Sequence, residues 1–108
     1  MFHENMCFIL ESREDAKALG ELLSEEGIGW HGGEDPAEVQ FFRPDCTFWF
    51  ISKSLCGSLV VTYMHTYEHT REYCLNYARD GGYEQPIRFC EWSPATVCGA
   101  PDNIDDLI

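Results

Sequence analysis

The sequence predicts an α+β fold, with a mainly antiparallel sheet of four to five strands and one principal helix packed on one face. Three observations lead to this fold class. Short runs of β-branched and aromatic residues recur along the chain, one longer segment repeats its apolar residues at helical spacing, and glycine or proline separates the segments. The 108 residues, 44% of them hydrophobic, suffice for a single domain, 1–108, with one core.

The first strand and the principal helix are predicted in succession near the N-terminus. Residues 5–11, NMCFILE, carry apolar side chains on both sides and are typical of a strand buried on both faces. Ser12 can cap the following helix, with Asp15 placed as in a capping box, and Gly27 can end it. The apolar stripe of this helix contains Ala16, Leu19, Leu22 and Leu23.

A glycine-rich stretch, EEGIGWHGG, occupies residues 25–33. A phosphate-binding loop would place its glycines before a helix, where free N–H groups converge on the anion, and would usually carry a lysine. Here the glycines follow a helix and precede two acids, Glu34 and Asp35, which repel phosphate. The stretch is therefore predicted to end the helix and to form a brief strand in which Ile28 and Trp30 face the same way.

An aromatic hairpin is predicted in the middle of the sheet. Its strands are residues 47–52, TFWFIS, and 58–65, SLVVTYMH, which are rich in strand-forming residues. The preceding residues 32–46 have the composition of a loop, with the apolar pair Phe41 and Phe42 between two prolines.

The C-terminal third is less regular. A short second helix that ends at Gly81 and Gly82 is favoured for residues 66–82, and an extension of the preceding strand is the alternative. Residues 86–92, PIRFCEW, are predicted to form a last, edge strand, where proline is tolerated at the start. The acidic tail, about 101–108, is expected to hang free.

The chain is strongly acidic, with 19 acids, 7 bases and a formal net charge of -12. Residues 1–45 hold 11 acids and 3 bases, whereas residues 46–101 hold 5 acids and 4 bases. One surface is therefore predicted to be strongly negative. Direct nucleic-acid binding is disfavoured, because phosphate contacts need clustered lysine and arginine. The alternative is that the acids only keep a small protein soluble.

Catalytic and cofactor-binding motifs do not stand out. The six cysteines never form C-x-x-C, and the negative field of the chain opposes the thiolate that a nucleophilic cysteine needs. G-x-S-x-G and Walker signatures do not occur, and no carboxylate pair is distinguished among the acids. The sequence predicts a protein that is not an enzyme and needs no cofactor.

The N-terminal sequence indicates where the protein is made. Met1 to Glu4 lack the basic and apolar regions of a signal peptide, and no apolar run approaches membrane-spanning length. We expect a soluble cytoplasmic protein that does not bind membranes, with its cysteines present as thiols.

A metal site is the first alternative function. His65, His69 and Glu72 have the spacing i, i+4 and i+7, so they would share one face of a helix, and two imidazoles with a carboxylate can hold Zn²⁺ or Fe²⁺. Chance placement of solvated polar side chains is the simpler interpretation of the same residues.

The aromatic strand predicts a second kind of contact. Phe48 and Phe50 should face one side of the sheet and Trp49 and Ile51 the other, while one principal helix covers a single side. Apolar surface would then remain for a partner or for a second copy of the chain in a homodimer. The loop of residues 32–46 is the alternative cover.

The order of these elements resembles a type of small phage protein. The resemblance is carried by CFILESREDAKALGELLSEEGIGWHGG followed by FWFIS: a strand, a helix that begins with S-x-E-x-A and ends in G-I-x-W, and an aromatic hairpin. It covers residues 5–64, and its motifs are structural. It implies that Trp30 packs under the helix. The cysteine-rich C-terminal third departs from the pattern.

Small acidic phage proteins are similar to inhibitors of host defence such as anti-CRISPR proteins, some of which imitate the charge of DNA. Together with the charge, the resemblance implies that the partner is the basic surface of a host protein or ribonucleoprotein complex, in the host cytoplasm, onto which a negative face is steered. A homo-oligomeric phage accessory protein with no defence role is the remaining alternative. The residues implied to contact the partner are Glu14, Glu21, Glu25, Glu26, Glu34, Asp35 and Glu38.

Overall fold

A five-stranded mixed sheet with helices on both faces forms the fold. A computed structural model of the chain describes residues 2–43, 47–65 and 71–92. Within these residues the elements are β1 (Cys7–Leu10), α1 (Arg13–Glu25), β2 (Gly29–Trp30), β3 (Thr47–Lys53), β4 (Leu59–His65), α2 (Arg71–Asp80), β5 (Ile87–Arg88) and α3 (Phe89–Trp92). The α+β class is confirmed, and the predicted tail, 101–108, lies outside the described residues.

The strand order is β2-β4-β3-β1-β5. β3 pairs antiparallel with both β1 and β4, whereas β5 pairs parallel with β1 and β2 pairs parallel with β4. The prediction of a mainly antiparallel sheet was therefore wrong for the edges, and only the central β3 runs against the others. The reason is that α1 follows β1 and α2 follows β4, and a helical crossover returns the chain in the same direction.

α1 is capped at Ser12 and ended at Gly27, as the sequence predicted. The Oγ of Ser12 accepts a hydrogen bond from the backbone N–H of Asp15 at 3.1 Å, which caps the first turn. Gly27 takes a φ of 77°, and the N–H of Ile28 donates to the carbonyl oxygen of Leu23 at 2.9 Å, which closes the C-terminal end. The predicted apolar stripe is buried at Ala16, Leu19 and Leu23, and Leu22 is half-buried.

The core has two parts because each face of the sheet is covered. The first is the α1-side core, which includes Ala16, Leu19 and Leu23 of α1 and Phe8, Trp30, Trp49 and Val61 of the strands. The second is the α2-side core, which consists of Cys7, Ile9, Phe48, Phe50, Cys74 and Ala78, with Met64 and Tyr83 packed against it. Phe48 and Phe50 thus face the side opposite Trp49, as predicted.

The covered second face corrects two expectations. The short helix favoured for residues 66–82 is confirmed as α2, which has 10 residues against 13 in α1 and packs Cys74 and Ala78 against the sheet. The structure therefore does not show one principal helix on one face. The aromatic surface of β3 is covered by the chain itself and is not left for a partner.

The last predicted strand is shorter than residues 86–92. Only Ile87 and Arg88 pair with β1, and Phe89 to Trp92 form the single turn α3. This turn brings the rings of Phe89 and Trp92 against Phe8, with centroid distances of 6.2 and 4.8 Å. Burial of Phe89 in the α1-side core, with Trp92 packed against it, explains why the strand stops after two residues.

The loop between β2 and β3 packs directly on α1 at Gly20. A Cβ at this position would overlap the carbonyl oxygen of Pro36, a contact that no side chain tolerates. Pro36 is buried, and the Nε2 of Gln40 donates to its carbonyl oxygen at 2.8 Å. The close approach therefore fixes the loop on the helix.

We expect Gly20→Ala to destabilise the protein. Alanine would favour the helix by about 1 kcal/mol, but overpacking against the Pro36 backbone costs about 1–3 kcal/mol. Urea unfolding followed by circular dichroism measures the balance. Ala18→Gly, on the exposed side of the same helix, calibrates the propensity and should cost about 1 kcal/mol. An increase in stability for Gly20→Ala would show that the loop is not held at this contact.

Candidate partner-binding surface

The seven acids implied as partner contacts are all exposed. Glu14, Glu21 and Glu25 lie on the outer side of α1, away from its buried residues, and Glu26 is its C-cap. The remaining three, Glu34, Asp35 and Glu38, lie in the loop after β2 and are also exposed.

The structure brings the loop acids to the C-terminal end of α1. Glu34 and Asp35 line a shallow depression whose other wall includes Ser24 and Gly27 at the end of α1. The contact of Gly20 with the Pro36 backbone holds the same loop on the helix. Glu34 and Asp35 therefore lie beside the C-terminal end of α1. We call the seven exposed acids together the acidic surface.

Few bases neutralise the acidic surface. Lys17 pairs with Glu21 at 3.5 Å, an exposed pair worth about 0–1 kcal/mol, and the Oε1 of Glu26 accepts from the backbone N–H of Phe2 at 3.3 Å. Within residues 2–43, 47–65 and 71–92, no lysine or arginine lies within ion-pair distance of the other five: Glu14, Glu25, Glu34, Asp35 and Glu38.

Other bases pair with acids outside this surface. Arg88 lies 2.8 Å from Glu11 and 2.9 Å from Glu91, and Lys53 lies 3.9 Å from Glu4. The last turn of α1 contains no basic residue, although Glu25 and the C-cap acid lie there against the helix macrodipole. Each of these acids should therefore lower the stability of the folded protein by roughly 0.3–1 kcal/mol.

Two buried tryptophans hold the loop between β2 and β3 through their indole N–H groups. The sequence analysis did not predict these hydrogen bonds. The Nε1–H of Trp30 donates to the carbonyl oxygen of Val39 at 2.7 Å, and the Nε1–H of Trp49 donates to the carbonyl oxygen of Phe41 at 2.8 Å. The rings pack edge to face with centroids 4.8 Å apart. The available signal was that a buried indole needs an acceptor for its N–H, but the sequence does not indicate which carbonyl supplies it.

A cavity with aromatic walls adjoins the acidic surface. It has a volume of about 290 Å³ and opens beside β2 and β4. Phe41 and Tyr63 stack at 4.6 Å with 8° between their planes, and Trp30 meets both rings edge to face. We call it the aromatic cavity, and it is lined by Trp30, His31, Gly32, Glu34, Phe41, Val61, Thr62 and Tyr63.

The exposed apolar surface of α2 is a separate feature. Tyr73 is 50% exposed, Leu75 38% and Tyr77 44%. The hydroxyls of Tyr83 and Ser52 are hydrogen-bonded at 2.6 Å, which holds the segment after α2 against the sheet. Exposed aromatic surface therefore lies on α2 and not on β3, where the sequence predicted it.

The four described cysteines differ in burial. Cys7 and Cys74 are buried in the α2-side core, Cys90 is half-buried and Cys56 is exposed. Burial, with a smaller contribution from the neighbouring Cys74, raises the pKa of Cys7 to about 12. Cys7 is therefore protonated at neutral pH and is not a nucleophile.

The alternative metal site does not form on a single helix. His65 is the last residue of β4 and Glu72 lies in the first turn of α2, so the helical spacing that motivated the site does not apply. His69 lies outside the described residues. Within the part of the chain that the structure describes, no group of three or more His, Cys, Asp or Glu side chains is arranged to hold a metal ion. The metal site stays a hypothesis.

No known protein family, curated protein or solved structure matches the chain. The helices in the described part of the chain are all too short or too polar to cross a membrane. The resemblance to small phage proteins therefore stays a prediction, and the geometry of the acidic surface and of the aromatic cavity is the basis for a functional proposal.

Proposed function

We propose that the protein is a non-enzymatic acidic binding protein that docks on the basic surface of a host nucleic-acid-handling complex and inhibits it, as anti-CRISPR proteins that mimic DNA do. The single observation that supports this proposal is the acidic surface. Its carboxylates are exposed, Glu34 and Asp35 lie beside the end of α1, and Glu14, Glu25, Glu34, Asp35 and Glu38 form no ion pair with a lysine or arginine of the described residues.

The charge and the rigidity of this surface both favour binding. Unneutralised carboxylates raise the local negative potential, which speeds encounter with a positive partner and makes binding sensitive to salt. The loop acids are also held in place by the Gly20 contact and by the indole hydrogen bonds of Trp30 and Trp49. A fixed array of charge loses little conformational entropy on binding, which favours affinity.

Charge neutralisation tests this proposal. The surface variant is Glu25→Gln, Glu34→Gln, Asp35→Asn and Glu38→Gln, and the matched control carries Glu72→Gln, Asp80→Asn, Glu84→Gln and Glu91→Gln, with the same change in net charge. The measurement is the cleavage of target DNA by a panel of purified CRISPR effector complexes. We expect the wild-type protein and the control to inhibit one of them and the surface variant to be weaker by at least about tenfold.

Salt gives an independent readout of the same contact. Raising the ionic strength from about 0.1 M to about 1 M shortens the screening length from about 10 Å to about 3 Å, so inhibition by the wild-type protein should fall steeply. Absence of inhibition across the panel, or an equal loss in both variants, would contradict the proposed function.

The exposed side chains of α2 favour a second candidate, an assembly role without inhibition. Tyr73 and Tyr77, one helical turn apart, present aromatic surface of the kind found at protein interfaces. A dimer in light scattering that is lost in Tyr77→Ser, combined with no effect on any effector complex, would favour this candidate.

A further inference from the structure

We propose that the aromatic cavity binds an arginine side chain of the basic partner. The inference rests on the proposed function for the basic character of that partner. It adds the chemical group that is recognised and the place where it binds.

The aromatic wall supplies the first part of the site. Tyr63 is 42% exposed although it stacks on Phe41, and both residues line the cavity. Behind this pair, Trp30 is 97% buried, since only 3% of its surface is accessible, and its indole N–H is held by the carbonyl of Val39. The wall is therefore rigid before any ligand arrives. A guanidinium within about 6 Å of such a ring is attracted by its quadrupole.

Glu34 supplies the second part. Its carboxylate lies over Gly32, where a Cβ would be 2.9 Å from Oε1, and both residues line the cavity. The backbone carbonyl of Glu34 accepts from the N–H of Trp30 at 3.0 Å, which ties the carboxylate-bearing residue to the aromatic wall. In the described part of the chain Glu34 forms no ion pair with a lysine or arginine.

The combination favours arginine over lysine. A planar guanidinium can stack on an aromatic ring and present its N–H groups to a carboxylate at the same time, whereas an ammonium group is a point charge that cannot stack. The cavity of about 290 Å³ is close to the lower limit of about 300 Å³ for small-molecule sites. This size suits one side chain and not a folded segment.

Titration of the full chain with blocked peptides tests the site by nuclear magnetic resonance. The probes are acetyl-Gly-Arg-Gly-amide, its lysine analogue and its citrulline analogue, which has nearly the shape of arginine without the charge. With the arginine peptide we expect saturable shifts of the Trp30 indole N–H and the Gly32 amide, and no shift at Tyr77 on α2. The lysine peptide should bind about fivefold more weakly, and the citrulline peptide should not bind.

Single substitutions separate the cavity from the overall charge. Glu34→Gln and Tyr63→Ser should each weaken the arginine peptide by about tenfold. Glu72→Gln removes the same charge from an exposed residue of α2, away from the cavity, and it should change binding by less than about twofold. Equal weakening by Glu34→Gln and Glu72→Gln, equal binding of the citrulline peptide, or no shift at Trp30 would overturn the proposal. Tighter binding of free arginine than of the blocked peptide would also overturn it, because the site would then be one for a free metabolite.

The outcome is independent of the effector assay. Peptide binding without inhibition of any effector complex would leave the arginine site in place and remove the proposed function. Inhibition without peptide binding would remove the arginine site alone.

Discussion

Replacing Trp49 with alanine should lower the free energy of unfolding by about 3–5 kcal/mol, as expected for a large aromatic side chain in a core. Trp49 is completely buried and lies in β3, opposite Phe8 of β1 and Tyr63 of β4. It also packs on Trp30 and donates its indole N–H to the Phe41 carbonyl. The substitution therefore removes packing between three strands together with an anchor of the loop.

A graded variant keeps this prediction measurable, because a domain of this kind has only about 5–15 kcal/mol of stability. Trp49→Phe retains an aromatic ring but removes the N–H, so it should cost about 1–3 kcal/mol for the carbonyl left without its partner. Leu55→Ala, at a fully exposed residue of the hairpin turn, should change stability by less than about 0.5 kcal/mol. Urea unfolding followed by far-ultraviolet circular dichroism compares the three. A loss at Trp49→Ala no larger than that at Leu55→Ala would contradict the assigned core.

The elements that the sequence predicted well are those with local causes. The period of α1, its cap at Ser12 and its stop at Gly27 depend on residues close together in the chain, and the β3–β4 hairpin depends on alternation and a short turn. Strand direction at the edges has no such local cause. It follows from where α1 and α2 deliver the chain, and for residues 66–82 the sequence favoured a helix but left a strand as the alternative.

In the candidate site, too, the features with local causes were predictable and those that depend on distant residues were not. Exposure of the acids was predictable, because charge and helical position determine it. The aromatic cavity was not, since it requires Trp30, Glu34, Phe41 and Tyr63 to meet from β2, the following loop and β4. Those contacts depend on the parallel pairing of β2 with β4, in which Trp30 lies beside Val61. No periodicity in the sequence encodes that register.

The buried thiol of Cys7 should make the protein lose stability in alkali. Folding raises the pKa of Cys7 from its usual 9.0 to about 12, mainly because burial disfavours the thiolate. Between these values the unfolded chain releases the proton while the folded chain keeps it, so the unfolded state binds fewer protons. The free energy of unfolding should therefore fall by about 1.4 kcal/mol per pH unit as the pH rises above 9, and should not change for this reason below it.

Two cysteine variants isolate this contribution from the tyrosines and lysines that also titrate in alkali. Cys7→Ala removes the buried thiol and should flatten the alkaline decline relative to the wild-type protein, whereas Cys56→Ala removes an exposed thiol and should leave the decline unchanged. Urea unfolding at a series of pH values gives the free energy of unfolding against pH for the wild-type protein and the two variants. Tyrosines and lysines titrate in all three proteins, so their contribution cancels when the curves are subtracted. Parallel curves for the wild-type protein and Cys7→Ala would mean that this thiol is accessible to water. In that case the packing of α2 over β1, on which the covered second face depends, would be wrong.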